Sequence, residues 1–162
     1  MTKSYTSKSI ENLQTALSME LTAIQQYLLH THVLDDWGLD RLAEKMREEM
    51  NEELGHAGRF IDRILFLEGM PKVEAAKAPV QAQGLDALFR ADLGEERGAV
   101  QFYTQAAQDA AKDNDIGTAR LFEDITIEEE GHVDWLTRQM RMLEKMGEPT
   151  YMLSQMEDPQ AA

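Results

Sequence analysis

Six side chains able to bind a metal recur at matched spacing along this chain: Glu20, Glu53 and His56 in the first half, Glu96, Glu129 and His132 in the second. Glu20 to Glu53 is 33 residues and Glu96 to Glu129 is again 33, and each second glutamate is followed three positions later by a histidine. Tyr27 and Tyr103 each lie seven residues after the first glutamate of their half, two helical turns along one face. Four carboxylates carry four negative charges, and two divalent cations would balance them. Two imidazoles then complete a mixed oxygen and nitrogen shell suited to iron or manganese. Gathered in one core without such cations, the carboxylates would lose hydration and repel one another, on the order of several kcal/mol per ion.

A single inward glutamate or histidine is usually a helix-edge group that reaches solvent; six at repeated spacing are not explained that way. As a set, Glu, Glu-x-x-His, Glu, Glu-x-x-His is the pattern of a di-metal carboxylate bundle. Glu53 and Glu129, each beside its histidine, are the expected bridges between two metals. Tyr27 and Tyr103 read either as core aromatics with satisfied hydroxyls or as partners of the metal site. Asp92, one turn before Glu96, is expected to orient a ligand histidine from behind. Gly55 and Gly131 each precede a histidine, which reads as close helix contact or as a neutral surface choice. Glu48, Glu49 and Glu52 read as a solvated acidic helix face with some attraction for iron.

The elements that must position these groups are long helices. The inward stripes run Leu13, Leu17, Glu20, Ile24, Tyr27, Leu34; then Leu42, Met46, Glu53, His56, Phe60, Ile64, Leu67. The second half repeats them as Leu85, Leu88, Asp92, Glu96, Ala99, Tyr103, Ala106 and Leu121, Ile125, Glu129, His132, Leu136, Met140, Leu143. Turn and capping signals place helices at about 8–36, 39–69, 85–113 and 116–146, with a short fifth at about 149–157 opened by Pro149. Residues 69–84 are broken by Pro71 and Pro79 and are long enough to cross a domain. The expected fold is all-α, a four-helix bundle whose long crossover lets helices two and three run parallel.

Composition sets outer limits. The chain has 162 residues, 43% hydrophobic, enough for one sizeable core, and it has no cysteine, so thiolate metal sites and disulfides are ruled out. A net charge of −14 disfavours nucleic acid and suits cations or solubility. No stretch approaches the roughly 20 apolar residues of a membrane span, and no early apolar run reads as a signal peptide, so a cytoplasmic location is expected.

With those residues in place, the chain resembles a bacterioferritin from ALSMELTAIQQYLLH through RILFLEGMP and EEEGHVDWL to KMGEPTYMLSQM. The resemblance implies a single ferritin-like domain over 1–162 and places Glu20, Glu53, His56, Glu96, Glu129 and His132 on the family's ferroxidase ligands. It implies iron storage: Fe(II) oxidised by oxygen or hydrogen peroxide at a di-iron centre, with ferric mineral kept inside a hollow shell of 24 subunits. Tyr27 would then supply an electron or a hydrogen bond. One departure stands out. Bacterioferritins hold haem between two subunits through a methionine right after the glutamate of the second-helix motif, and this chain has Leu54 there. Haem b is therefore in doubt, leaving either a haem-free shell of this chain alone or a mixed shell with a second, methionine-bearing subunit. Glu48 likewise replaces a cavity-facing histidine found in some members. Two other functions fit the bare pattern: a small di-metal peroxidase or oxygenase without storage, and a bundle in which cations are purely structural.

Overall fold

The computed structural model describes residues 7–157. They form five helices: α1 (Ser7–Asp36), α2 (Asp40–Phe66), α3 (Leu85–Lys112), α4 (Ile116–Met146) and α5 (Glu148–Gln155). Among the described residues there is no strand. α1 packs on α2 and α3 on α4 as two antiparallel hairpins, and α1 also meets α3 and α2 meets α4, closing a four-helix bundle.

The first three helices stop by one device. A residue in the left-handed region follows the helix, and the next N–H reaches a carbonyl five residues back. Gly38 (φ +77°) ends α1, with Leu39 N–H on the Leu34 carbonyl at 2.9 Å. Leu34 and Leu39 are both fully buried, so the hydrophobic contact of the motif is present. Asn114 (φ +58°) ends α3, with Asp115 N–H on the Ala110 carbonyl. For α2 the expected stop was Gly69. Instead Glu68 takes the left-handed position (φ +62°) and Gly69 supplies the long N–H bond to Ile64, so the helix closes three residues early. Gly69 is required there for space, because a Cβ would fall 2.9 Å from the Ile64 Cγ2 methyl. Asp115 opens α4 by accepting the Thr118 N–H and also holds Arg63 at 2.6 Å, tying the α3–α4 turn to α2.

The crossover, residues 67–84, lies along α1 on a ladder of three side chains, the first two about two turns apart and the last one turn further on. The Gln14 amide pairs with both backbone groups of Lys72 at 2.8 Å, Thr22 accepts the Ala76 N–H at 2.9 Å, and the Gln26 amide pairs with both backbone groups of Val80 at 3.0 Å. α5 docks by burying Tyr151, whose hydroxyl donates to Gln139 at 2.8 Å.

Two apolar layers fill the bundle. One includes Leu13, Leu17, Phe60, Tyr103, Phe122 and Ile125, the other Leu34, Leu42, Met46, Phe89, Leu93 and Leu136. On each long helix the metal-binding candidates fall between residues of one layer and residues of the other. In α4 the expected stripe shifts by one position at its start: Phe122 is fully buried and Leu121 only partly, because the aromatic ring fills the space against Phe60 and Tyr103. Met140 is likewise half-buried, with Gln139 taking the inner place.

Candidate metal centre

The polar layer contains all six sequence-derived residues. Glu20 comes from α1, Glu53 and His56 from α2, Glu96 from α3, Glu129 and His132 from α4, and each is at most 5% exposed. Their ligand atoms form two overlapping groups: Glu20, Glu53, His56 and Glu129, and Glu53, Glu96, Glu129 and His132. Glu53 and Glu129 belong to both, the arrangement that bridging carboxylates require.

The histidines aim Nδ1 inward. His56 Nδ1 is 3.0 Å from Glu129 and 3.7 Å from both Glu20 and Glu53; His132 Nδ1 is 3.0 Å from Glu129, 3.1 Å from Glu53 and 3.8 Å from Glu96. The two rings lie nearly parallel, centroids 6.4 Å apart. Yet both Nδ1 atoms, both Glu129 oxygens and Glu53 Oε1 are buried without a well-aligned hydrogen-bond partner. Buried polar atoms are almost always satisfied. Five unsatisfied atoms pointed at one space mark a place shaped for something that accepts lone pairs, which a divalent cation does.

The electrostatics agree. Burial, reinforced by the Glu53 charge, pushes the Glu20 carboxyl well above its usual range, and burial does the same to Glu96. Burial would raise Glu53 too, but the neighbouring Glu20, His132 and His56 outweigh it and hold Glu53 low. Burial alone would deprotonate the histidines, whereas the surrounding glutamates, Glu129 first, keep both protonated well above the ordinary imidazole value. Without cations, the cluster retains protons in their place.

The tyrosines cross between halves. Tyr27 donates its hydroxyl to Glu96, and Tyr103 donates to Glu20. Burial and the acceptor's charge push both phenols well above their usual value, so they remain donors.

Residues of the two halves correspond at a constant offset of 76: Glu20 with Glu96, Tyr27 with Tyr103, Glu53 with Glu129, His56 with His132. The outer imidazole nitrogens follow it. His56 Nε2 donates to Glu128 at 2.7 Å, itself held by Arg59, and His132 Nε2 donates to Glu52 at 2.8 Å. Glu52 and Glu128 are about half exposed, so each histidine connects the buried centre to the α2–α4 face.

Three expectations need correction. Glu49 is not part of a solvated face: it is 2% exposed, 2.7 Å from His132 Nε2 and 2.5 Å from Lys45 Nζ. Its carboxyl is held low because His132 outweighs the effect of burial. The signal was available, since the α2 stripe jumped from Met46 to Glu53 and a helix needs an inward residue near 49. Asp92 does not orient a ligand histidine. Its carboxylate faces His30 Nδ1 at 3.0 Å, and His30 is a fully buried residue outside the six. Gly55 and Gly131 have no neighbour within 4 Å of a would-be Cβ, so close helix contact does not explain them.

Leu54 lies outside the centre, 60% exposed on α2. Met46 is fully buried in the core, and Met50, one turn before Leu54, is partly buried against the same cluster.

A family model for a ferritin-like domain matches residues 10–146. A bacterioferritin of Rhodobacter capsulatus is 40% identical over 146 residues, covering 90% of this chain and 91% of the relative, and one of Brucella melitensis is 40% identical over 89% of each. Among solved structures, the R. capsulatus bacterioferritin superposes with a TM-score of 0.93 at 39% identity, over 98% of this chain and 99% of that one; it is described as having a metal-free dinuclear site and haem iron. A Mycobacterium tuberculosis bacterioferritin gives 0.92 at 33% identity, over 96% and 98%. No described helix is long and apolar enough to cross a membrane.

Proposed function

This chain belongs to the ferritin-like family and aligns over about nine-tenths of its length with bacterioferritins, and on that premise we propose that it stores and detoxifies iron by oxidising Fe(II) at the buried six-residue centre. The observation that carries the reading is the set of five unsatisfied buried atoms from Glu53, His56, Glu129 and His132 converging on one space.

Fe(II) is the substrate. Glu53 and Glu129 would bridge the two ions, Glu20 with His56 and Glu96 with His132 completing one position each. Two ions held about 3.5–4 Å apart can deliver two electrons to one oxidant molecule. Dioxygen accepts them with two protons as hydrogen peroxide; peroxide accepts them with two protons as two waters. Cation entry displaces the Nδ1 protons of His56 and His132, while Nε2 stays anchored on Glu128 and Glu52, which fixes each ring. Tyr27 and Tyr103 hold Glu96 and Glu20 in place through their hydroxyls.

The ferric product would be kept as mineral inside a hollow shell of 24 copies. Leu54 offers no sulfur for haem, so a shell of this chain alone would be haem-free, and haem would enter only with a second, methionine-bearing subunit. Size-exclusion chromatography after aerobic Fe(II) addition tests the whole reading. A large iron-loaded particle is expected; a small oligomer that oxidises iron without retaining it, or one that binds iron without oxidation, contradicts storage.

A further inference from the structure

On the α1–α3 side, opposite the α2–α4 face where the histidines meet Glu52 and Glu128, a cleft of about 250 Å³ lies beneath the crossover. Its walls are methyl groups of Ala23, Ala78, Val80, Ala82, Ala87 and Ala91, and its inner end reaches Tyr27, Asp92 and Glu96. A second cavity of about 20 Å³, bounded by Glu20, Glu53, Glu96 and Tyr103, shares Ala23, Glu95 and Glu96 with it. The cleft therefore abuts the centre, with Ala23 at the junction.

The roof is held in place. Gln26 clamps both backbone groups of Val80, and Lys77 pairs with Glu95 across the mouth. Because the Val80 backbone fixes which end of the Gln26 amide is the nitrogen, that nitrogen also donates to His30 Nε2 at 2.9 Å. His30 therefore carries its proton on Nδ1 and donates it to Asp92. Glu96 in turn receives the Tyr27 hydroxyl. The polar groups at the inner end are already paired, as are Lys77 and Glu95 at the mouth, and most of the remaining surface is alkyl.

The carboxylates of this cleft are each engaged by Lys77, His30 or Tyr27, so it gives a hydrated cation little to exchange its waters for, whereas the α2–α4 face offers the half-exposed Glu52 and Glu128. A small uncharged molecule has the opposite preference. We propose that the cleft is a docking site for dioxygen, so that oxidant reaches the centre between α1 and α3 while cations come from the carboxylate-lined side. The assignment rests on the ferroxidase reading above.

Crystals of the protein pressurised with xenon, an apolar gas probe, test the site directly, alongside Ala91→Phe and Ala87→Leu, which fill it from two exposed wall positions. Xenon is expected in the native cleft and in neither variant. In solution, kcat/KM for dioxygen in Fe(II) oxidation should fall roughly tenfold, while Co(II) titration still shows two ions per chain. Absence of xenon from the native cleft overturns the proposal, as does a native kcat/KM for dioxygen in both filled variants. Xenon in the cleft of a protein that oxidises no Fe(II) would sink the ferroxidase reading and leave the apolar gas site standing.

Discussion

Glu49 and Ile125 occupy the same register in the two halves, 76 residues apart, and both are buried; one is a carboxylate against His132, the other a hydrocarbon in the apolar layer. The two proposed cation positions are thus chemically unequal. The Glu96–His132 position has an extra carboxylate behind its histidine, and the Glu20–His56 position has none.

Removing that carboxylate should separate the two positions in a titration. In Glu49→Gln, His132 keeps only Glu52 as an outer carboxylate, and loss of such a charged partner weakens metal affinity by roughly tenfold or more. Calorimetry with Zn(II) should show one of two equivalents weakened and the other unchanged. Equal weakening of both would contradict the inequality.

Glu129→Ala and His132→Ala should each abolish rapid Fe(II) oxidation, read by stopped-flow absorbance, with helix content preserved in circular dichroism. The apolar layers on either side of the centre pack without Glu129, so its removal changes the centre rather than unfolding the bundle. Native initial rates in both variants would refute the ligand set.

The metal-free protein should lose stability as pH rises. Raised folded pKa values at His56 and His132, and at Glu20 and Glu96, give stability that is complete below the unfolded values of 6.5 and 4.5 and is lost as pH climbs toward the folded ones. Glu49 and Asp115, held low, act in the opposite sense and matter only as pH falls through and below about 4.5. Thermal melts with chelator should therefore give a higher Tm at about pH 6 than at about pH 8.5, and saturating Zn(II) should remove or invert the difference because cations replace the imidazole protons. A chelated Tm that rises between those pH values would contradict this balance of charges.

Tyr27→Phe keeps the ring and deletes the hydroxyl that Glu96 accepts. Slower Fe(II) oxidation with an unchanged fold is expected, and Tyr103→Phe, which frees Glu20, serves as the matched comparison. If Tyr27→Phe oxidised Fe(II) at the native rate, the hydroxyl would have no part in the reaction.

The protein assembled alone with haem present should show no Soret band, and Leu54→Met should create one, because residue 54 is exposed on α2 and needs only a thioether. A stoichiometric Soret band in the native protein would show that another residue ligates haem.

What the sequence determined by itself is the register. Helical periodicity of 3.6 residues makes inward positions countable, so Glu20, Glu53, His56, Glu96, Glu129 and His132 could be placed on inward faces from spacing alone, and their repetition at 33 residues tied them into one layer. What only the tertiary structure decided is which atoms meet across helices. Asp92 finds His30 rather than a ligand histidine, Tyr27 crosses to Glu96 and Tyr103 to Glu20, and Glu49 turns inward against His132. The α2 stop likewise depended on Glu68 entering the left-handed region so that Gly69 could reach Ile64. Periodicity fixes the direction a side chain leaves its own helix. Interhelical rotation and stagger, set by how Phe60, Tyr103 and Phe122 pack, fix what it reaches.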